Sequence, residues 1–113
     1  MLFMAVAVFV LVAGMGAGMA IEMFKGRSTE KGYALLHAGF ALLGSAFVIT
    51  VALEGNDQRL FGNIGLAVVI IALGLVISFK RKKGKSPKGL VLAHGGLAAA
   101  CFALLVYNTF VPA

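Results

Sequence analysis

Apolar positions come in four long runs: Leu2 to Met23, Gly32 to Leu53, Leu60 to Phe79 and Gly89 to Val111. Polar and charged residues collect in the short breaks between them. Each run has the roughly 20 residues that a helix needs to cross a hydrocarbon core of about 30 Å. None shows the period-two alternation of a membrane strand. Backbone groups in lipid must find partners within their own segment, so the pattern predicts four transmembrane helices. The expected fold class is all-α: a polytopic membrane protein, one domain, a four-helix bundle.

Composition agrees. Of 113 residues, 61% are hydrophobic and 12% charged, against about 25% charged in soluble domains. The charges are placed unevenly. Lys25, Arg27 and Lys31 follow run one; Lys80, Arg81, Lys82, Lys83, Lys85 and Lys88 follow run three. Arg59 stands alone after run two, beside Glu54 and Asp57. Positive loops stay on the cytoplasmic side. The expectation is a bacterial inner-membrane protein with both basic loops cytoplasmic and both termini outside. The net charge of +6 is then a topology signal, and the loops should lie against anionic lipid headgroups. No aromatic stacking residues accompany them, so nucleic acid is not an expected partner. Ala17-Gly18-Met19-Ala20 offers a small-residue cleavage site, but a positive n-region is missing and the apolar stretch is too long for a signal peptide. Run one is therefore expected to stay as a span. Cys101 has no second cysteine to pair with.

Two segments are nearly the same: KGYALLHAGFA, residues 31–41, and KGLVLAHGGLA, residues 88–98. They match at Lys31/Lys88, Gly32/Gly89, Leu35/Leu92, His37/His94, Gly39/Gly96 and Ala41/Ala98. Lys and His are scarce here, so those matches carry the weight. Thr29 and Ser86 align just upstream as N-caps, with Pro87 at the first helical position. Leu2-Phe3 aligns with Leu60-Phe61, and Gly16 with Gly74. The chain reads as two helical hairpins, about residues 1–56 and 57–113. With two spans between copies, the repeat is parallel. His37 and His94 then sit at equal depth, about 9 Å inside the basic end. Helical spacing puts Ala41, Gly44 and Val48 behind His37, and Ala98, Cys101 and Leu105 behind His94.

Ionisable residues within a membrane usually face the bundle interior. Each His could simply bond a neighbouring helix, through Ser45, Asn63, Ser78 or a backbone carbonyl. The sharper reading is that the pair ligates a b-type haem. Neighbouring helices pack 8–10 Å apart, so diagonal helices two and four lie at about the spacing that two imidazoles on one iron require. Gly16 and Gly74 would clear the ring on helices one and three. Lys31 and Lys88 would meet its propionates.

This arrangement resembles the cytochrome b subunits of respiratory quinol oxidoreductases. There the haem ligands come from the second and fourth helices of a four-helix bundle, and glycines on the first and third make room. The resemblance implies axial ligation by His37 and His94. That family carries two His per ligating helix and two haems. This chain has one per helix, so one haem is implied, on the cytoplasmic side. One-electron transfer to a redox partner, or haem sensing and handling, would follow. With two protein ligands the iron has no open position, so oxygen activation is not expected.

Other readings differ in class. Four short spans also resemble the small multidrug resistance transporters, which need a buried carboxylate in helix one. Glu22 is the candidate, but it lies at the basic end within reach of Lys25. A structural membrane subunit needs no cofactor. Zinc wants three or four ligands, which a homodimer bringing four His together would supply. Met15, Met19 and Met23 form a stripe of a kind that suits Cu(I), although such stripes are more often packing. The chain has no nucleophile with a nearby base, no carboxylate pair and no phosphate loop. The Gly14/Gly18 spacing suits close helix packing or dimerisation.

Overall fold

The computed structural model describes residues 1–27, 30–55 and 57–112. Among them there are four helices and no strand: α1 Leu2–Phe24, α2 Lys31–Gly55, α3 Arg59–Lys82 and α4 Lys88–Phe110. Each is long and apolar enough to cross a membrane. The helices outrun the apolar stretches, taking in Lys31, Arg59, Lys80–Lys82 and Lys88. Hydrogen bonding along a helix does not stop where hydropathy does. The basic residues in the last turn of α3 also complement its negative end.

Each helix packs on its two neighbours in chain order, and α1 closes the ring against α4. Helices α2 and α4 are therefore diagonal, as are α1 and α3. The bundle measures 44 × 21 × 18 Å, a length close to the 40–45 Å of a bilayer with its headgroups. At most 11% of any apolar span is buried inside the protein. Large residues such as Leu35, Leu53, Leu75, Phe79 and Leu92 point outward. An apolar surface this continuous suits lipid, since soluble monomers rarely expose patches beyond a few hundred Å². Stray polar side chains are satisfied within their own helix. The hydroxyls of Ser45, Thr50 and Thr109 donate to the carbonyls of Ala41, Ala46 and Leu105.

The basic end is built twice by the same device. Gly26 and Gly84 adopt left-handed backbone, with φ of 77° and 80°. After α1, Arg27 N–H bonds Glu22 O at 2.8 Å and Gly26 N–H bonds Met23 O at 3.0 Å. After α3, Lys85 N–H bonds Lys80 O at 3.0 Å and Gly84 N–H bonds Arg81 O at 2.9 Å. This is the Schellman arrangement, which occupies the last carbonyls of a helix. The Arg81 side chain reaches over to the Arg27 carbonyl and ties the two loops together.

The caps differ from expectation. Pro87 is the N-cap of α4, not its first helical residue. Its carbonyl accepts the first helical bond, from Val91 N–H at 3.0 Å, and no side chain caps the helix. Ser86 instead offers its own carbonyl to Lys88 N–H. The expected cap at Thr29 lies outside the described residues. In hairpin one the carbonyl of Glu30 accepts from Ala34 N–H, the place that Pro87 holds in hairpin two.

At the opposite end the core is Ala5, Val48, Ala52, Leu60 and Leu105. Arg59 opens α3 with a positive charge where the helix dipole disfavours one. It is compensated twice. Asp57 takes its guanidinium at 3.2 Å, and the guanidinium donates to the carbonyls of Val111 and Asn108 at the end of α4. Arg59 thus satisfies carbonyls that α4 would otherwise leave without partners.

Candidate functional site

His37 and His94 are each the seventh residue of their helix. They come from diagonal helices, yet their ring centroids lie only 6.5 Å apart, with the planes at 59°. The small inward residues behind them allow this approach. Gly44, Val48 and Leu105 are buried and Ala41, Ala98 and Cys101 partly so.

Gly16 and Gly74 seat the imidazoles themselves. A Cβ at Gly16 would lie 3.1 Å from His37 Cε1, and one at Gly74 would lie 3.2 Å from His94 Cε1. The absence of a side chain also uncovers a carbonyl one turn back, since residue i+4 normally sits over the carbonyl of residue i. On α3 that carbonyl is Ile70, and His94 Nδ1 bonds it at 2.8 Å. A carbonyl only accepts, so His94 carries its hydrogen on Nδ1 and, when neutral, a free lone pair on Nε2. On α1 the matching carbonyl is Val12, beside His37. Bond geometry is not reached there: His37 Nδ1 is enclosed and without a partner. The two sites share a frame and differ in one hydrogen bond.

A metal atom about 2.0 Å from a nitrogen on each ring would set the centroids about 6 Å apart. The observed centroid spacing is near that value, while a flat macrocycle would have to enter between imidazoles that themselves occupy the space beside Gly16 and Gly74. A cavity of about 230 Å³ lies elsewhere, on the α2–α3 side, with Phe9, Ser45, Asn63 and Cys101 in its wall. Lys31 and Lys88 stand at the basic end, with Lys88 Nζ over the Phe24 ring at 5.6 Å.

Other candidates go different ways. Glu22 pairs with Arg27 at 3.3 Å rather than with Lys25, and the pair is exposed. Arg27, released from the helix by Gly26, can fold back over the last turn. Ser45 bonds its own helix, and Asn63 bonds α4, so neither reaches a histidine. Met15 and Met23 are buried packing residues. No three of His, Cys, Asp and Glu gather among the described residues.

One polar cluster has no counterpart in the expectations. Asn63 and Asn108 are 3% and 4% exposed. Asn108 donates to Asn63 Oδ1 at 2.9 Å, and Asn63 donates to Cys101 O at 2.9 Å. The signal was available: 94, 98, 101, 105 and 108 form one helical stripe, so Asn108 follows from His94 by spacing alone. No family model, no curated protein and no solved structure matches this chain.

Proposed function

We propose that the protein is an integral membrane protein holding one b-type haem between His37 and His94. The four spans would form two hairpins in parallel repeat, about residues 1–56 and 57–113. The basic end would face the cytoplasm of a bacterial cell against anionic headgroups, with both termini outside. The observation that carries the haem reading is the pair of imidazoles at 6.5 Å, one of them fixed by a backbone carbonyl. Metal-bound His side chains usually donate their other N–H to such a partner. Gly16 and Gly74 keep both rings seated, and Lys31 and Lys88 are the cations available to haem carboxylates. When bound, the haem supplies a one-electron carrier, for exchange with a membrane or cytoplasmic partner or for haem handling.

The absorption spectrum decides it. Protein expressed with ample haem and purified in mild detergent should show a Soret band and low-spin features. His37→Ala and His94→Ala should each abolish the low-spin spectrum, and Glu22→Gln should leave it unchanged. Wild-type protein without a Soret band would remove the haem reading.

A second reading has its own observation. The glycine seats and the Ile70 bond account for His94 as a packing element that needs no cofactor. It expects no Soret band and a loss of stability in His94→Ala. The transporter reading is weakened by the exposed Glu22–Arg27 pair, which leaves no buried carboxylate in α1.

A further inference from the structure

Leu75, Val76, Phe79, Lys80 and Lys83 line a groove of about 360 Å³ on the outer face of α3, at its basic end. Val76, Phe79, Lys80 and Lys83 follow helical spacing, so the groove runs along the helix. Its two ends differ in chemistry. Leu75, Val76 and Phe79 are exposed apolar side chains. Lys80 and Lys83 close the other end, with Lys83 Nζ 5.5 Å from the centroid of the Phe79 ring. Leu75 stands about 7.5 Å further along the helix from Lys80, toward the middle of the span. Hairpin one has no such groove. With Gly74 set on Gly16, the left-handed Gly84 falls on Gly26. Lys80 then stands opposite Glu22, and Leu75 and Val76 opposite Ala17 and Gly18. The charge is reversed and the apolar wall is missing.

In hairpin one the cation Arg27 is paired with Glu22. Residues 80–88 hold six cations and no carboxylate. Among the described residues, neither Lys80 nor Lys83 enters an ion pair. The end of α3 does not engage them either, because the carbonyls of Lys80 and Arg81 already accept from backbone N–H groups of the turn. An occupant that suits both ends must carry an anion at the membrane boundary and an apolar chain directed inward. We infer that the groove holds one anionic phospholipid of its own leaflet, with the phosphate at Lys80 and Lys83 and an acyl chain along Leu75, Val76 and Phe79. This rests on the membrane reading above, in which the basic loops meet anionic headgroups, and is independent of the haem. The groove turns that diffuse attraction into a site with one occupant. A zwitterionic lipid offers the same chains, but its own cation opposes the two lysines. Glu22 repels an anion at the equivalent place in hairpin one, so the chain has one such site and not two.

The test uses the full chain in mild detergent with phosphatidylglycerol or phosphatidylcholine of the same acyl chains added, and counts retained lipid by native mass spectrometry. Helical circular dichroism checks that each variant is folded. Wild-type protein should keep one phosphatidylglycerol in preference to phosphatidylcholine. Lys80→Gln and Lys83→Gln should each weaken its retention about fivefold, the share of one lysine near a membrane surface. Lys82→Gln and Lys85→Gln remove the same charge outside the groove and should leave retention nearly unchanged. Lys80→Glu copies hairpin one and should abolish it. Phe79→Ala should weaken it while every cation remains. Equal losses at all four lysines, or equal retention of the two lipids, would overturn the site and leave only the diffuse attraction. Displacement of the lipid by millimolar inorganic phosphate, with Phe79→Ala having no effect, would give the lysines to free phosphate and overturn the lipid. Release of the chain from cell membranes by alkaline carbonate would overturn the membrane reading itself, and that fractionation is run first.

Discussion

The two hairpins are alike over one half of their length and unlike over the other. Toward the basic end each has the same parts: a left-handed glycine closing the first helix, a glycine seat, and a histidine in it. Toward the opposite end the contents part. Hairpin one packs Ala5 and Val48 and presses the Phe9 ring onto the bare backbone of Gly44, where a Cβ would lie 2.8 Å from Phe9 Cζ. With the two histidines and the two seating glycines aligned, hairpin two has Asn63 opposite Ala5, Asn108 opposite Val51, and Cys101 opposite Gly44. Its helices are joined by side-chain hydrogen bonds. The comparison separates what both hairpins keep from what differs between them. Either close approach or buried amide bonds can join a helix pair in lipid, where burying apolar surface gives no advantage. The histidine seat is present in both hairpins, with the same glycine contact at each ring.

The largest effect should come from filling the space that only hairpin one uses. Gly44→Leu puts a side chain into the Phe9 ring, and overpacking of this kind costs about 1–3 kcal/mol. Unfolding in mixed micelles should show that loss. Phe9→Ala in the same chain should recover much of it, since residues in direct contact are coupled. Cys101→Leu, at the matching position of hairpin two, acts differently. It removes a thiol beside Asn63 at a position in the wall of the cavity of about 230 Å³, so there is space for part of the larger side chain. Equal losses at the two positions, with no rescue by Phe9→Ala, would show that the hairpins are packed alike after all.

The second test compares the glycine seats. Gly16→Ala and Gly74→Ala bring nearly the same crowding, at 3.1 and 3.2 Å from the two Cε1 atoms. Replacing Gly by Ala within a helix returns up to about 1 kcal/mol of intrinsic propensity. At Gly16 the ring can move without losing a bond, so the net change should be near zero. At Gly74 the movement also breaks the His94–Ile70 bond, whose loss costs about 1 kcal/mol. Gly74→Ala should therefore be the more destabilising by about that amount. A Gly16→Ala loss as large as that of Gly74→Ala would mean that His37 is held as firmly as His94.

Much of this was legible from the chain. Apolar runs of spanning length leave backbone groups one solution, so the four helices followed directly. The matched histidines followed from the rarity of His and from depth counted in residues. The glycine pairs were also visible, but their first use was not. A glycine reports that something comes close without naming what, and here the visitor is the imidazole of the same hairpin. Arg59 shows the same limit. Charge balance gives only an expected side of the membrane for its loop, and it does not reveal that its guanidinium finds carbonyls on α4 that only the assembled bundle brings within reach. Asn108 was missed by stopping the helical stripe one step early.

The Asn pair gives the third effect in size. Asn63→Ala leaves the Asn108 amide without its acceptor and the Cys101 carbonyl without a side-chain donor. Interhelical hydrogen bonds in membrane proteins average about 0.6 kcal/mol and reach about 1.7, so a loss of about 1 kcal/mol is expected. The equivalent change in hairpin one, Ala5→Asn, offers an amide to a surface that supplies no amide partner and should also destabilise. If Ala5→Asn together with Val51→Asn restores stability, the polar joint can be moved between hairpins and the two halves are interchangeable.

The smallest effect is confined to the Arg59 end of hairpin two, and pH exposes it. The Arg59 guanidinium, with help from the Arg59 backbone N–H, holds the Asp57 carboxyl below its ordinary value of 3.8. A carboxyl whose pKa falls on folding contributes stability that is complete above the unfolded value and lost as pH falls through the folded one. The fall should therefore begin only below about pH 4, leaving neutral and mildly acidic conditions flat. Asp57→Asn should remove that acid-side dependence and behave at pH 7 as the wild type does at the acid limit. Arg59 would still hold the carbonyls of Asn108 and Val111 in this variant. The residual stability therefore separates the ion pair from the cap on α4. Arg59→Gln, which gives up both, should lose more than Asp57→Asn at every pH. Identical losses in the two variants would mean that Arg59 works only as a counter-ion and that α4 ends without its help.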